Sequence, residues 1–117
     1  MNDVTVTENE LTVNDETISF PVPIYEWIDL GDVLVVRLEE VGKPHQYRKR
    51  NVLGISPDAK IMWLVPRAPD PADSGATKNY TSISRKRGDQ LWAYNPNGFS
   101  YQLDPSDGSI LDREFVK

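Results

Sequence analysis

The sequence contains no cysteine and a single histidine, His45. The absence of cysteine excludes a disulfide framework, a thiolate zinc site and a cysteine nucleophile. No run of apolar residues approaches the ~20 that a membrane-spanning helix needs. The N-terminus has neither a basic start nor an apolar segment, so it does not predict a signal peptide. Together these absences favour a soluble protein of the cytoplasm that makes no contact with a membrane.

Sequence motifs that would indicate catalysis or a bound metal are also missing. No Gly-x-Ser-x-Gly elbow occurs, and His45 lies in a polar turn without a second histidine or a cluster of acids beside it. Residues 104–108, Asp-Pro-Ser-Asp-Gly, superficially resemble a calcium loop, but the spacing differs from an EF-hand and proline occupies a ligand position. We interpret this segment as a plain turn and expect a protein without catalytic activity, cofactor or metal.

The clearest structural pattern lies in the last quarter of the chain. Two turns, Asn-Pro-Asn-Gly at 95–98 and the segment at 104–108, each combine a proline that presets φ with a glycine that accepts positive φ. Between them Phe99, Tyr101 and Leu103 alternate with polar residues, which is typical of a half-buried strand. Residues 90–112 therefore predict an antiparallel meander.

Other short segments predict further strands, at 4–7, 11–13, 16–20, 33–38, 47–55, 60–65 and 80–84. The consecutive apolar residues at 33–36 indicate a central strand covered on both faces. We expect burial of this run, of the apolar run at 61–65 and of residues 91–94. Only residues 25–30 allow a short helical turn, and residues 66–79 form a long irregular loop.

About nine strands with little or no helix predict an all-β fold. The length of 117 residues fits one domain over residues 1–117. We expect an antiparallel meander that forms a small sandwich or a strongly curved sheet.

Charge is distributed unevenly along the chain, whose net charge is −5. Residues 1–40 carry ten acidic residues and one base, Arg37, whereas residues 41–90 carry ten bases and four acids. This asymmetry indicates either a basic partner for the acidic third or internal pairing of the acidic third with the basic middle. The basic clusters at 48–50 and 85–87 suggest a nucleic-acid surface, but the acidic isoelectric point of about 4.8 disfavours one.

Among the three tryptophans, Trp63 and Trp92 lie at the centres of apolar strands and are predicted core residues. Trp27 lies in the acidic segment Glu-Trp-Ile-Asp and is the best candidate for an exposed anchor, since aromatic anchors within a charged rim are typical of interfaces. The predicted partner-binding residues are Glu26, Trp27, Asp29, Asp32, Glu39, Glu40, Asp70 and Asp73.

Two segments resemble the blade hairpins of quinoprotein-type β-propellers. Residues 51–63 are similar to a strand, an acidic turn and a strand that ends in tryptophan, and residues 101–111 are similar to the closing turn of a blade. The likeness covers about a quarter of the chain and implies a hairpin type without a cofactor site. As a whole the chain resembles small uncharacterised bacterial all-β proteins, and in size and acidity it is similar to bacterial toxin-immunity proteins.

These observations lead to two hypotheses about function. The first is a non-catalytic immunity or inhibitor protein that neutralises a cationic partner, such as a bacterial toxin nuclease domain. The second is a β-domain that binds a small molecule or carbohydrate through exposed aromatics and the loop at 66–79. A pocket lined by tyrosine and tryptophan would favour the second, and a flat or convex acidic face would favour the first. The sequence does not reveal the oligomeric state.

Overall fold

A computed structural model describes residues 2–39, 46–69 and 78–116 of the chain. Within these ranges the chain forms eleven strands and no helix, which confirms the all-β prediction. The strands are β1 (Val4–Thr7), β2 (Glu10–Val13), β3 (Glu16–Ser19), β4 (Ile24–Asp29), β5 (Leu34–Leu38), β6 (Val52–Ile55), β7 (Ile61–Leu64), β8 (Ser82–Lys86), β9 (Gln90–Asn95), β10 (Phe99–Leu103) and β11 (Ile110–Phe115). Most of the predicted loop, residues 70–77, lies outside the described ranges.

Strands that follow each other in sequence pair antiparallel in three meanders: the first sheet (β1–β3), the middle sheet (β4–β7) and the last sheet (β8–β11). The short connections depend on backbone at positive φ, which tight hairpins require. Glu8, Ala59 and Gly98 supply it, with φ of 52°, 63° and 101°. Each meander therefore leaves two edge strands, and β4 and β7 are the edges of the middle sheet.

The middle sheet lies between the other two and carries a hydrophobic core on each face. Along β5, Leu34, Val36 and Leu38 face a core shared with Leu11 and Val13 of the first sheet. The alternate residues Val33 and Val35 face a second core, shared with the last sheet residues Ile83, Leu91, Ala93, Tyr101 and Leu103. This arrangement confirms the prediction that residues 33–36 form a central strand covered on both faces.

Two predictions about local structure are wrong. Residues 25–30, where the sequence allowed a short helical turn, instead supply most of β4 (Ile24–Asp29), because this segment pairs with β5 over five residue pairs, including Trp27 with Val36. The strand expected from residue 47 starts only at Val52. A turn precedes it, since Lys49 has a φ of 67° and the Arg50 amide donates to the Tyr47 carbonyl at 3.0 Å.

Burial within the apolar run at 61–65 also differs from the prediction. Trp63 and Val65 are buried, whereas Ile61 and Met62 remain 39% and 46% exposed. The difference arises because β7 is an edge strand of the middle sheet, so part of its surface has no covering neighbour. By contrast, Leu91, Trp92 and Ala93 are buried as expected, whereas Tyr94, which was also predicted to be buried, is only partly buried.

Trp63 joins the middle sheet to the last sheet. Its indole packs against Gly54, the residue paired with it on β6, and against Gly108 in the turn before β11. A Cβ atom added at either glycine would overlap the indole ring. The indole N–H donates to the Pro105 carbonyl at 2.8 Å. Trp63 therefore anchors the turn between β10 and β11 onto β7.

Asn51 is a buried polar residue that joins three segments of backbone. Its amide group donates to the carbonyls of Leu38 at 2.9 Å and Tyr80 at 2.8 Å. Its side-chain oxygen accepts the Tyr80 amide at 2.8 Å. These bonds satisfy backbone groups between the end of β5 and the start of β8 that neighbouring strands leave unpaired.

The outer face of the last sheet buries Trp92 beneath charged side chains. Lys86 Nζ lies 4.2 Å and Arg87 Cζ 5.3 Å from the centroid of its ring. Both bases form ion pairs with Glu114 on β11, at 3.5 Å and 2.6 Å. These pairs connect β8 and the turn after it to β11, and they shield the tryptophan from solvent.

Candidate binding site

The end of the β4–β5 hairpin brings together three of the predicted partner-binding residues. Trp27 and Asp29 lie on β4 opposite Val36 and Leu34, and thus on the face directed towards the first sheet. Asp32 lies in the turn that follows β4. Because β4 is an edge strand, the Trp27 side chain remains 45% exposed.

Asp29 is fixed by hydrogen bonds at the base of this turn. One of its carboxylate oxygens accepts the Asn2 side-chain amide at 2.9 Å and the Gly31 N–H at 2.8 Å. Gly31, whose φ of 91° favours glycine, also accepts a bond from Asn2 at 2.9 Å. Partial desolvation raises the pKa of Asp29, but the bonds from Gly31 and Asn2 outweigh it and hold the pKa below its ordinary value. Asp29 is therefore a carboxylate at neutral pH.

A shallow groove of about 590 Å³ runs between the first sheet and β4. We call it the tryptophan groove, and it is lined by Asn2, Asp3, Val4, Trp27, Asp29 and Gly31. The Asp3 carboxylate is exposed and makes no ion pair or hydrogen bond within the described part of the chain. The groove thus combines one exposed aromatic ring with two carboxylates.

A second concavity, which we call the end pocket, lies on the other side of the same turn. It has a volume of about 430 Å³ and is lined by Leu30, Asp32, Val33, Met62, Arg85, Asp89, Asp104, Pro105 and Ser106. Its lining comes from both the middle and the last sheet. The single turn at residues 30–32 therefore separates the two concavities, and its residues line both.

The other predicted site residues are placed elsewhere. Glu26 forms an ion pair with Arg37 at 2.5 Å and accepts the Ile83 N–H of β8 at 3.2 Å. Its carboxylate therefore joins the middle sheet to the last sheet. Glu39 follows the opposite end of β5, roughly 17 Å from the level of Leu34 along the strand. Glu40, Asp70 and Asp73 lie outside the described residues.

Charge pairing within the described ranges leaves the acidic third largely unneutralised. Of its acids only Glu26 forms an ion pair there, and its partner Arg37 belongs to the same third. The basic cluster at 85–87 pairs instead with Asp89 and Glu114. Arg50 donates to the backbone carbonyls of Leu64 and Val65. Among the described residues, no ion pair joins the acidic third to the basic middle.

Sequence reasoning missed several residues of the site. Asn2 and Asp3 lie 27 and 26 residues from Asp29 in sequence and reach it only through the stacking of the first sheet on the middle sheet. Tyr25 is 63% exposed on β4, and the Arg37 guanidinium lies 4.2 Å from the centre of its ring. Tyr25 lies at a β-bulge between Ile24 and Glu26, and its sequence neighbours gave no sign of that bulge.

Two further findings concern metal binding and membrane spanning. Among the described residues, no group of three or more His, Cys, Asp and Glu side chains is placed to hold a metal ion. No helix within the described ranges is long and apolar enough to span a membrane.

Comparison with curated proteins found no match to this sequence. A family model described as a domain of unknown function, DUF7957, matches residues 1–115. This match covers nearly the whole chain, including all eleven strands and both concavities. The chain therefore belongs to the DUF7957 family.

Proposed function

We propose that this domain is a non-catalytic binding protein whose tryptophan groove docks on a basic protein. Most concretely, we propose an immunity or inhibitor protein that neutralises a cationic partner such as a bacterial toxin nuclease domain. The observation that carries the proposal is an exposed Trp27 among Asp3, Asp29 and Asp32, with no base paired to these acids in the described part of the chain.

The charge distribution supports a basic partner. The first sheet adds further exposed acids, at Glu8, Glu10, Asp15 and Glu16. An unneutralised acidic surface accelerates the approach of a cationic protein and disfavours acidic competitors. Exposed aromatic side chains such as Trp27 commonly supply a large share of the binding energy once they are buried.

The end pocket favours a second candidate, the binding of a small molecule. Its volume of about 430 Å³ falls within the range of ligand sites. However, its described lining contains no tyrosine or tryptophan, the residues expected for stacking on a carbohydrate. A protein partner therefore remains our first proposal.

The proposal can be tested with a basic, toxin-like protein that is encoded next to the gene for this protein. Association and dissociation rates would be measured by biolayer interferometry at two salt concentrations. Trp27→Ala should speed dissociation and weaken binding by roughly 2 kcal/mol. The double variant Asp3→Lys with Asp32→Lys should slow association, and this effect should shrink as salt shortens the screening length to about 8 Å and below.

A matched control separates a local face from total charge. Glu8→Lys with Asp112→Lys changes net charge equally but lies away from the β4–β5 turn, since Glu8 contacts Ile24 at the opposite end of β4. We expect this control to affect the association rate much less. Since the Asp3 and Asp32 carboxylates have no described bonds, their reversal should leave thermal stability nearly unchanged. Equal kinetic effects of both double variants, or no effect of Trp27→Ala, would contradict the proposed face.

A further inference from the structure

The end pocket combines apolar walls with unmatched negative charge. Leu30 and Val33 of the middle sheet, Met62 of β7 and Pro105 of the last sheet supply the apolar surface. Met62 is 46% exposed, and its flexible thioether side chain can adapt to a group bound against it. The pocket is thus open to solvent and suited to an occupant with an aliphatic part.

The polar groups of the pocket are not equivalent. Arg85 and Asp89 form an ion pair at 3.0 Å and neutralise each other. Asp104 accepts bonds from the amide and the hydroxyl of Ser106, at 2.9 Å and 2.7 Å, and so closes its own turn. The Asp32 carboxylate makes no hydrogen bond or ion pair with any described residue. The carboxylates of Asp32 and Asp104 thus have no basic partner within the described ranges and favour the binding of a cation.

We infer that the end pocket is a subsite for one lysine or arginine side chain of the basic partner, an inference that rests on the proposed function. The aliphatic stem of such a side chain would pack on Met62, Leu30 and Pro105. Its charged end would contact Asp32, and Asp104 would add to the attraction. The pocket is large enough for one long basic side chain together with water molecules.

The position of the pocket supports this assignment. Leu30 and Asp32 line the end pocket, and Gly31 between them lines the tryptophan groove. A protein docked over Trp27 would therefore extend across the turn to the mouth of the end pocket. Both concavities would then form one continuous interface, with an aromatic anchor on one side and a cation-binding recess on the other.

The chemistry can be tested without the partner. The ¹⁵N-labelled full-length protein would be titrated with N-acetyl-lysine methylamide and, as the uncharged match, N-acetyl-norleucine methylamide. We expect saturable NMR shifts at the amides of Asp32, Val33, Met62 and Ser106 with lysine, and much smaller shifts with norleucine. Asp32→Asn should weaken lysine binding about threefold, the effect typical of one exposed charge pair. Asp112→Asn, which does not line the pocket, should leave it unchanged.

A second variant, at Met62, tests whether lysine binds in the end pocket itself. Met62→Lys should place a competing ammonium group at the pocket and abolish the lysine-induced shifts, while the remaining spectrum confirms the fold. Equal binding of lysine and norleucine, or shifts spread over the acidic first sheet and insensitive to Asp32→Asn, would overturn the inference.

Measurements with the basic partner separate the two proposals. If partner binding is weakened by Trp27→Ala but not by Met62→Lys, the subsite is refuted and the proposed function stands. If the lysine probe occupies the pocket but no basic protein binds, the chemistry of the pocket is supported and the proposed function is refuted. Weakening of partner binding by both variants would support both.

Discussion

The contact between Trp63 and Gly54 provides a sharp test of the packing that places the end pocket. A Cβ atom at Gly54 would overlap the indole ring, and Gly54 lies within β6 at a position without positive φ. The cost of Gly54→Ala should therefore come from overpacking, about 1–3 kcal/mol. For a domain of this size, a loss of 2 kcal/mol corresponds to a fall of roughly 8 °C in Tm.

A double-mutant cycle can isolate the part of the Gly54→Ala cost that depends on the indole ring of Trp63. Trp63→Leu removes the ring and opens the space that the new methyl group would occupy, so Gly54→Ala should cost little in this background. The expected coupling free energy is about 2 kcal/mol. Urea denaturation followed by far-ultraviolet circular dichroism would measure it, because replacing Trp63 changes the fluorescence signal.

Gly88→Ala is the matched control for this cycle. Gly88 has a φ of 88° and no atom within 4 Å of the added Cβ, so its substitution costs only backbone strain. The cost of Gly88→Ala should be the same in the native chain and in the Trp63→Leu background. If Gly54→Ala also costs the same in both backgrounds, the indole does not determine the packing at Gly54, and our account of how Trp63 anchors the pocket wall is wrong.

Three further predictions concern the polar groups that hold the sheets together. Asn51→Ala should lower the free energy of unfolding by about 3 kcal/mol in urea denaturation, because three buried backbone bonds are lost; a loss below 1 kcal/mol would contradict it. Arg37→Met should lower the free energy of unfolding by about 2 kcal/mol, because it leaves the Glu26 carboxylate without its base, and adding Glu26→Gln should recover part of this loss. If Glu26→Gln recovers nothing, the Arg37–Glu26 ion pair does not account for the loss. The hydrogen bond from Arg87 lowers the pKa of Glu114 below its ordinary value of 4.5. The pair therefore stabilises the fold above pH 4.5, and this contribution is lost as the pH falls through the lower pKa of the folded state. The Tm advantage of the native chain over Glu114→Gln should therefore narrow below pH 4.5, and a constant difference would exclude the linkage.

Much of the fold could be predicted because its elements depend on local rules. The turns at 95–98 and 104–108 join β9, β10 and β11 as expected, since proline presets φ and glycine accepts positive φ irrespective of distant contacts. The apolar run at 33–36 also predicted a strand covered on both faces. The position of an edge strand is different, because it depends on which strands pair. The apolar residues Ile61 and Met62 therefore gave no sign of their exposure.

The candidate site could be predicted only in part, for a related reason. Trp27, Asp29 and Asp32 are close in sequence, so one hairpin brings them together whatever the remaining topology. The contacts that complete the tryptophan groove span 27 residues, from Asn2 to Asp29. Those that complete the end pocket join the middle sheet to residues 104–106 of the last sheet. Neither could be inferred before the stacking order of the sheets was known.

The stacking order also explains why the two concavities flank one turn. Since the middle sheet is covered on both faces, only its edges and the ends of its strands remain open for binding. Glu26 and Arg37 neutralise each other between the middle and last sheets, and Glu114 neutralises bases on the outer face of the last sheet. Within the described ranges, most of the acids without a basic partner therefore lie on the first sheet and the β4–β5 turn. A cationic partner approaching that side would meet Trp27 and the end pocket together, so the same layering that buries the core also determines the direction from which a partner would bind.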